Sequence, residues 1–189
     1  YLRISKGIEH LLRASVLFVL SEACATAAAL DGRFDGFAQF KRAVRDNKRS
    51  EYQIAVQHLI ELARLSGPPN RLLTAERLRS SFDVTLLRDI EKLFLQRNNL
   101  SHETGSEVDL THLPFWRGVL KRTLESHKVF TDQLHFTLVE SLAYDIPVHP
   151  FGTIGALRFR YGKGQERALA PLLLGYRRTH SDALTIVLP

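Results

Sequence analysis

Methionine is absent from the 189 residues, and cysteine is nearly so, with Cys24 standing alone. A lone thiol has no intrachain partner, so no disulfide framework holds this chain, and a reducing compartment, the cytoplasm, is expected. The chain opens Tyr1-Leu2-Arg3, which with the missing methionine reads as a processed chain or a piece of a longer one. Long uncharged runs are also missing. The most apolar stretch, Ala14 to Leu30, follows Arg13 and is broken by Glu22, short of the roughly 20 nearly uncharged residues that a membrane span requires. It reads instead as a buried amphipathic helix, with no membrane partner. No signal peptide, internal repeat or low-complexity tract is legible. The histidines lack the paired spacing of a zinc site: His127 and His135 stand two turns apart on an expected helix without a third ligand. Gly162-Lys163-Gly164 lacks the rest of a phosphate loop. No metal and no cofactor are expected.

What is present is an ordinary globular composition, 44% hydrophobic and 24% charged, in a length that suits one domain of about 150 residues with an appendage. Basic residues outnumber acidic ones 26 to 20 and the isoelectric point is near 9.7. Of the basic residues 19 are arginine, the side chain suited to bidentate phosphate contact. The excess is clustered. Arg33, Lys41, Arg42, Arg45, Lys48 and Arg49 face only Asp35 and Asp46, and Arg158, Arg160, Lys163, Arg167, Arg177 and Arg178 face only Glu166. Such patches suit a polyanion, RNA above all, with Arg42, Arg45 and Arg49 as candidate substrate-binding residues. They serve equally as a solvated face that keeps the protein soluble.

The first three-quarters of the chain reads as helical. Ile4, Ile8, Leu11, Leu12, Ser15, Val19 and Leu20 follow helical spacing, and alanines carry the pattern to Leu30, where Asp31-Gly32 breaks it. A second helical region spans about Phe34 to Leu65 and stops at Ser66-Gly67-Pro68-Pro69-Asn70. A short helix around Thr74 to Ser80 follows. Asp83 is placed to cap a helix through Gln96, with Leu87, Ile90 and Phe94 as its stripe and Arg97 next in line. Asn98 to Leu110 is polar. Thr111, with Pro114 in the first turn, starts a last long helix expected to reach about Ala143, its stripe including Leu113, Trp116, Leu120, Leu124, Leu134 and Leu138. After Asp145 the character changes, with five of the 11 glycines and four of the seven prolines between Ile146 and Pro189. Thr153 to Tyr161 and Leu184 to Leu188 read as two short strands, with Gly162-Lys163-Gly164 as a turn. So short a tail is expected to pack on the helices or on another chain.

One segment carries chemistry: Arg97-Asn98-Asn99-Leu100-Ser101-His102. The pattern of an arginine, four to six residues and a histidine also occurs at Arg3 to His10 and Arg122 to His127, so spacing alone does not single it out. Position does: Asn98 puts a polar residue directly after the arginine, the segment falls between two helices, and Arg97 ends an apolar stripe. The motif resembles the signature of HEPN domains, helical bundles found in bacterial toxins, anti-phage defence effectors and RNA-guided ribonucleases. The resemblance implies a mainly α, up-and-down helical bundle over residues 1–145; the Gly/Pro-rich, strand-bearing extension over 146–189 belongs to no HEPN core and is expected to dock a regulatory partner or domain. The resemblance further implies a metal-independent endoribonuclease whose site is completed across a homodimer, with Arg97, His102 and Asn98 catalytic and Glu9 as a first-helix acid that helps the site. Thr104 stands where some toxin members carry a modifiable tyrosine, so that toxin–antidote arrangement is not implied.

The chemistry supports this reading on its own terms. The 2′-hydroxyl of RNA can attack the adjacent phosphorus, so a site must move two protons and stabilise a phosphorane-like transition state. Histidine, with a pKa near 6.5, suits proton transfer, and arginine holds two phosphoryl oxygens while staying charged. On a continuous helix, however, five residues turn about 500°, leaving the two roughly 140° apart. Either the helix ends at Asn98-Asn99, or the pair meets its copy in a second subunit. Asn98 could orient the phosphate or cap a helix end. Two other readings fit the same residues: a non-catalytic bundle that binds nucleotide, RNA or protein, and a dimerisation module of a larger protein.

Overall fold

The computed structural model describes residues 2–26, 72–102, 110–139, 152–170, 172–178 and 183–187. In chain order these form α1 (Leu2–Ala25), α2 (Leu73–Ser81), α3 (Val84–His102), a single 3-10 turn (Leu110–His112), α4 (Leu113–Thr131), and the strands β1 (Leu134–Val139), β2 (Gly152–Tyr161), β3 (Arg167–Ala168), β4 (Leu174–Arg178) and β5 (Leu184–Val187). The expected region from Phe34 to Leu65 lies outside the described residues. The chain divides into two compact units: residues 1–16 with 32–131, and residues 17–31 with 132–189. Helix α1 thus gives its first half to a helical unit and its second half to a sheet unit.

The helical unit follows the sequence pattern closely. Ile8 and Leu12 recur at one face of α1, and Leu86, Leu87, Ile90, Leu93 and Phe94 bury one side of α3. Asp83 caps α3 through a 2.7 Å bond from the Leu86 N–H to its Oδ1, which satisfies one of the donors a helix start leaves without an internal partner. Helices α3 and α4 are tied at two levels. The Trp116 indole N–H donates to Gln96 Oε1 at 2.8 Å, and Arg122 Nη2 reaches Asp89 Oδ2 at 2.6 Å. Trp116 itself is fully buried, so its polar edge needs such a partner.

The sheet unit overturns the expected architecture. A bundle of helices with a short strand-bearing tail is not what forms; a five-stranded antiparallel sheet occupies the C-terminal part, ordered β1-β2-β4-β5 with β3 on β2. The last long helix stops at Thr131, and residues expected to extend it to Ala143 supply β1 instead. Two physical causes combine. Gln133 adopts φ 55°, in the left-handed region, and its carbonyl accepts the Gly162 N–H at 2.8 Å. Beyond it, Leu134, Phe136 and Leu138 alternate with His135, Thr137 and Val139, a period of two that suits a sheet with one buried face. The buried face rests on α1: Phe18 meets the Phe136 ring at 5.5 Å and the Phe159 ring edge-on at 4.9 Å. Every residue from Ser15 to Ala23 is buried, which explains the apolar run without a membrane, since a helix enclosed on all sides needs no polar face. No helix among the described residues is long and apolar enough to cross one.

Two glycines thin the sheet where it is most crowded. Gly155 and Gly175 stand directly opposite each other on β2 and β4. A Cβ on Gly155 would strike the Val139 carbonyl oxygen, and one on Gly175 would meet the Leu157 side chain and lie 2.7 Å from Leu138 Cδ1. The leucines therefore fill the space above the glycine pair, the close approach for which a strand glycine is kept. The second anchor is polar. Glu22, fully buried on α1, holds Arg167 Nη1 at 3.1 Å. Beside it the Ser21 hydroxyl donates to the Ala170 carbonyl at 2.7 Å, while the Ala170 N–H returns a 2.9 Å bond to the Ser21 carbonyl.

Candidate functional site

Helix α3 runs without a break from Val84 to His102. The first of the two routes open to the motif, a helix ending at Asn98-Asn99, is therefore closed, and Asn98 caps no helix end there. Residue 97 continues the line of Leu86, Ile90 and Leu93, all buried. Residue 102 falls in line with Leu95, which is 58% exposed, because seven residues make nearly two full turns. One chain thus does not bring the two positions to one side of α3. The side chain of His102 lies outside the described residues, as do Arg42, Arg45 and Arg49.

Arg97 is half-buried, and its Nε is shielded from water with no hydrogen-bond partner among the described residues. Leaving a buried donor unsatisfied costs about 1–3 kcal/mol, and Arg13 on α1 carries the same cost. The position of Arg97 is well fixed. Gln96, the residue before it, is the one bound by the Trp116 indole, so the C-terminal part of α3 is pinned to α4 beside the arginine. The sequence reading missed this support; a tryptophan on a buried stripe, whose N–H must be satisfied, was the signal for it. Asn98 is exposed.

The competing motif matches are used otherwise. Arg122 is occupied by Asp89, and His127 packs edge-on against Phe130 at 6.0 Å, where loss of hydration holds its pKa below the ordinary 6.5. Arg3 and His10 are exposed on α1. Glu9, the first-helix acid, is buried on α1, one turn before Arg13, whose Nε is also buried without a hydrogen-bond partner among the described residues. Among the described residues no three His, Cys, Asp or Glu side chains are grouped to hold a metal ion. His127 and His135 do not share a helix after all, one lying on α4 and the other on β1.

The C-terminal arginines do not form one patch. Arg167 turns to the covered face of the sheet and to Glu22. Arg158 and Arg160 stand on the other face, where the strand register sets Arg160 beside His135 and Arg158 beside Thr137 and Ala168. Glu166 reaches Arg158 at 3.7 Å. No family model, no curated protein and no solved structure matches this chain, so its site is read from its own residues.

Proposed function

We propose that this chain is an RNA endonuclease working in the cytoplasm as a homodimer, with Arg97 holding the scissile phosphate and His102 moving the protons. The observation that carries the reading is the Arg97 guanidinium, fixed at the end of a buried stripe with its Nε unsatisfied among the described residues. The resemblance of Arg97-Asn98-Asn99-Leu100-Ser101-His102 to the HEPN motif supports the same assignment, as does the basic charge of the chain. In the reaction, one imidazole takes the proton from the 2′-hydroxyl as its oxygen bonds to phosphorus. The 5′-oxygen leaves with a proton supplied by a second imidazole, and a 2′,3′-cyclic phosphate remains. Arginine neutralises the charge gathering on the non-bridging oxygens. The internal nucleophile makes a metal dispensable. The uninterrupted α3 makes a second copy necessary, since residues 97 and 102 of one chain lie roughly 140° apart around the helix. In its setting the enzyme serves as a toxin or anti-phage effector, regulated through residues 146–189.

The same 140° favours a second reading, a non-catalytic module that binds RNA or dimerises. Incubating the purified protein with RNA in EDTA decides between them. Cleavage leaving cyclic phosphate ends, lost by at least about 100-fold in Arg97→Ala and in His102→Ala, supports the enzyme. RNA that is bound and never cut supports the binding module. If excess His102→Ala, after exchange of subunits, leaves the activity of the wild-type chain undiminished, the shared site is wrong.

A further inference from the structure

We propose that the solvent face of β1, β2 and β3 is a binding surface for single-stranded RNA, separate from the Arg97 site. At this end of the sheet unit the core lies on the other face, with Phe18 seated on Phe136 and Phe159. On the free face at this end, His135, Thr137, Arg158 and Ala168 are exposed and Arg160 is half-exposed. The register aligns His135 with Arg160, and Thr137 with Arg158 and Ala168. Exposed Lys163 follows in the turn after β2. Three cations and an exposed imidazole thus share one end of the sheet.

Charge complementarity selects a polyanion, and the spacing selects a single strand. Two residues along a strand advance about 6.6 Å, comparable with the step between successive phosphates of an extended nucleic-acid chain. Three strands are roughly 10 Å across, room for one chain lying over them. Guanidinium planes and an imidazole are surfaces on which unpaired bases stack, and the Thr137 hydroxyl is a partner for a ribose 2′-hydroxyl. Glu166 occupies Arg158 at 3.7 Å with both side chains partly exposed. Such pairs are weak, so a phosphate can displace the carboxylate.

Filter binding of an oligouridylate of about 12 nucleotides, at several salt concentrations, tests the surface. Each phosphate contact to a single strand contributes about 0.7 to the slope of log affinity against log salt, so Arg158→Ala with Arg160→Ala should flatten it by about 1.4. Removing the competing carboxylate in Glu166→Gln should tighten binding several-fold more than Glu91→Gln, which makes the same change of charge on α3. A double variant with the wild-type slope overturns the surface, as does equal tightening by the two glutamine variants. Equally tight binding of a duplex of the same length overturns the single-strand preference. Should Arg97→Ala abolish binding while the double arginine variant keeps it, the surface fails and the nuclease reading survives.

Discussion

The helical unit and the sheet unit bury their side chains by different means. In the first, whole stripes of leucine, isoleucine and phenylalanine meet, and polar ties such as Gln96 to Trp116 sit at the margin of the packing. In the second, space is made by removing side chains, at Gly155 and Gly175, and a buried carboxylate on α1 is matched by an arginine on β3. A stripe core is tolerant of small changes, because neighbouring helices can adjust. A sheet thinned by glycines and pinned by a buried ion pair depends on a few positions. The difference teaches that loss of one residue should be felt over many in the helices, and over few but sharply in the sheet.

The largest test is Trp116→Ala. It removes the biggest buried side chain and the partner of Gln96, and should lower stability by about 3–5 kcal/mol, read as a shift in the denaturant midpoint by circular dichroism. Hydrogen exchange should speed first in α3 and α4; equal acceleration in β2 would dissolve the distinction between the units. Next is Glu22→Ala, which leaves Arg167 without its carboxylate and should cost about 2–3 kcal/mol, with protection lost first in β2 and β3. If Lys121→Ala, which breaks the exposed Lys121–Glu125 pair at 4.0 Å, costs as much, the buried pair is not special to the sheet unit. Asp83→Ala removes the cap of α3 and should cost about 1 kcal/mol, confined to exchange in the first turn of that helix.

The smallest effect is one of pH. Burial holds the His127 pKa below 6.5, so between the folded and unfolded values the unfolded chain carries more proton, and stability falls as the pH is lowered through that window. His127→Gln should flatten the stability–pH slope just below pH 6.5. An unchanged slope would show that the imidazole titrates as freely as in water.

The helical unit was largely legible because its signals are local. Asp83 before a run with Leu87, Ile90 and Phe94 announces both cap and stripe, and α2 and α3 appear where the pattern sets them, although α3 continues past Gln96 to His102. The sheet was only half legible. β2, β5 and the glycine turn at 162–164 are found, while β1, β3 and β4 are not. Leu134 and Leu138 fit a helical stripe as well as a strand, and the break between them and α4 is made by Gln133 in a left-handed conformation, with no glycine or proline to mark it. Strand β4 hides in Leu-Gly-Tyr-Arg-Arg, whose glycine reads as a turn until Gly155 is placed opposite it. For the site, sequence supplied Arg97 and its stripe. It could not supply the unbroken helix beyond Asn98, because that polar stretch carries no propensity strong enough to decide between helix and loop.

The hydrogen bond between Trp116 and Gln96 has an optical consequence. This chain has a single tryptophan, and its indole is fastened to the residue next to Arg97. Excited at wavelengths that spare the five tyrosines, the protein therefore emits from one chromophore joined to the neighbourhood of the motif. An anion that shifts the last turns of α3 would change the hydrogen bonding of that indole and with it the wavelength of the emitted light, so binding at Arg97 can be followed without any attached label.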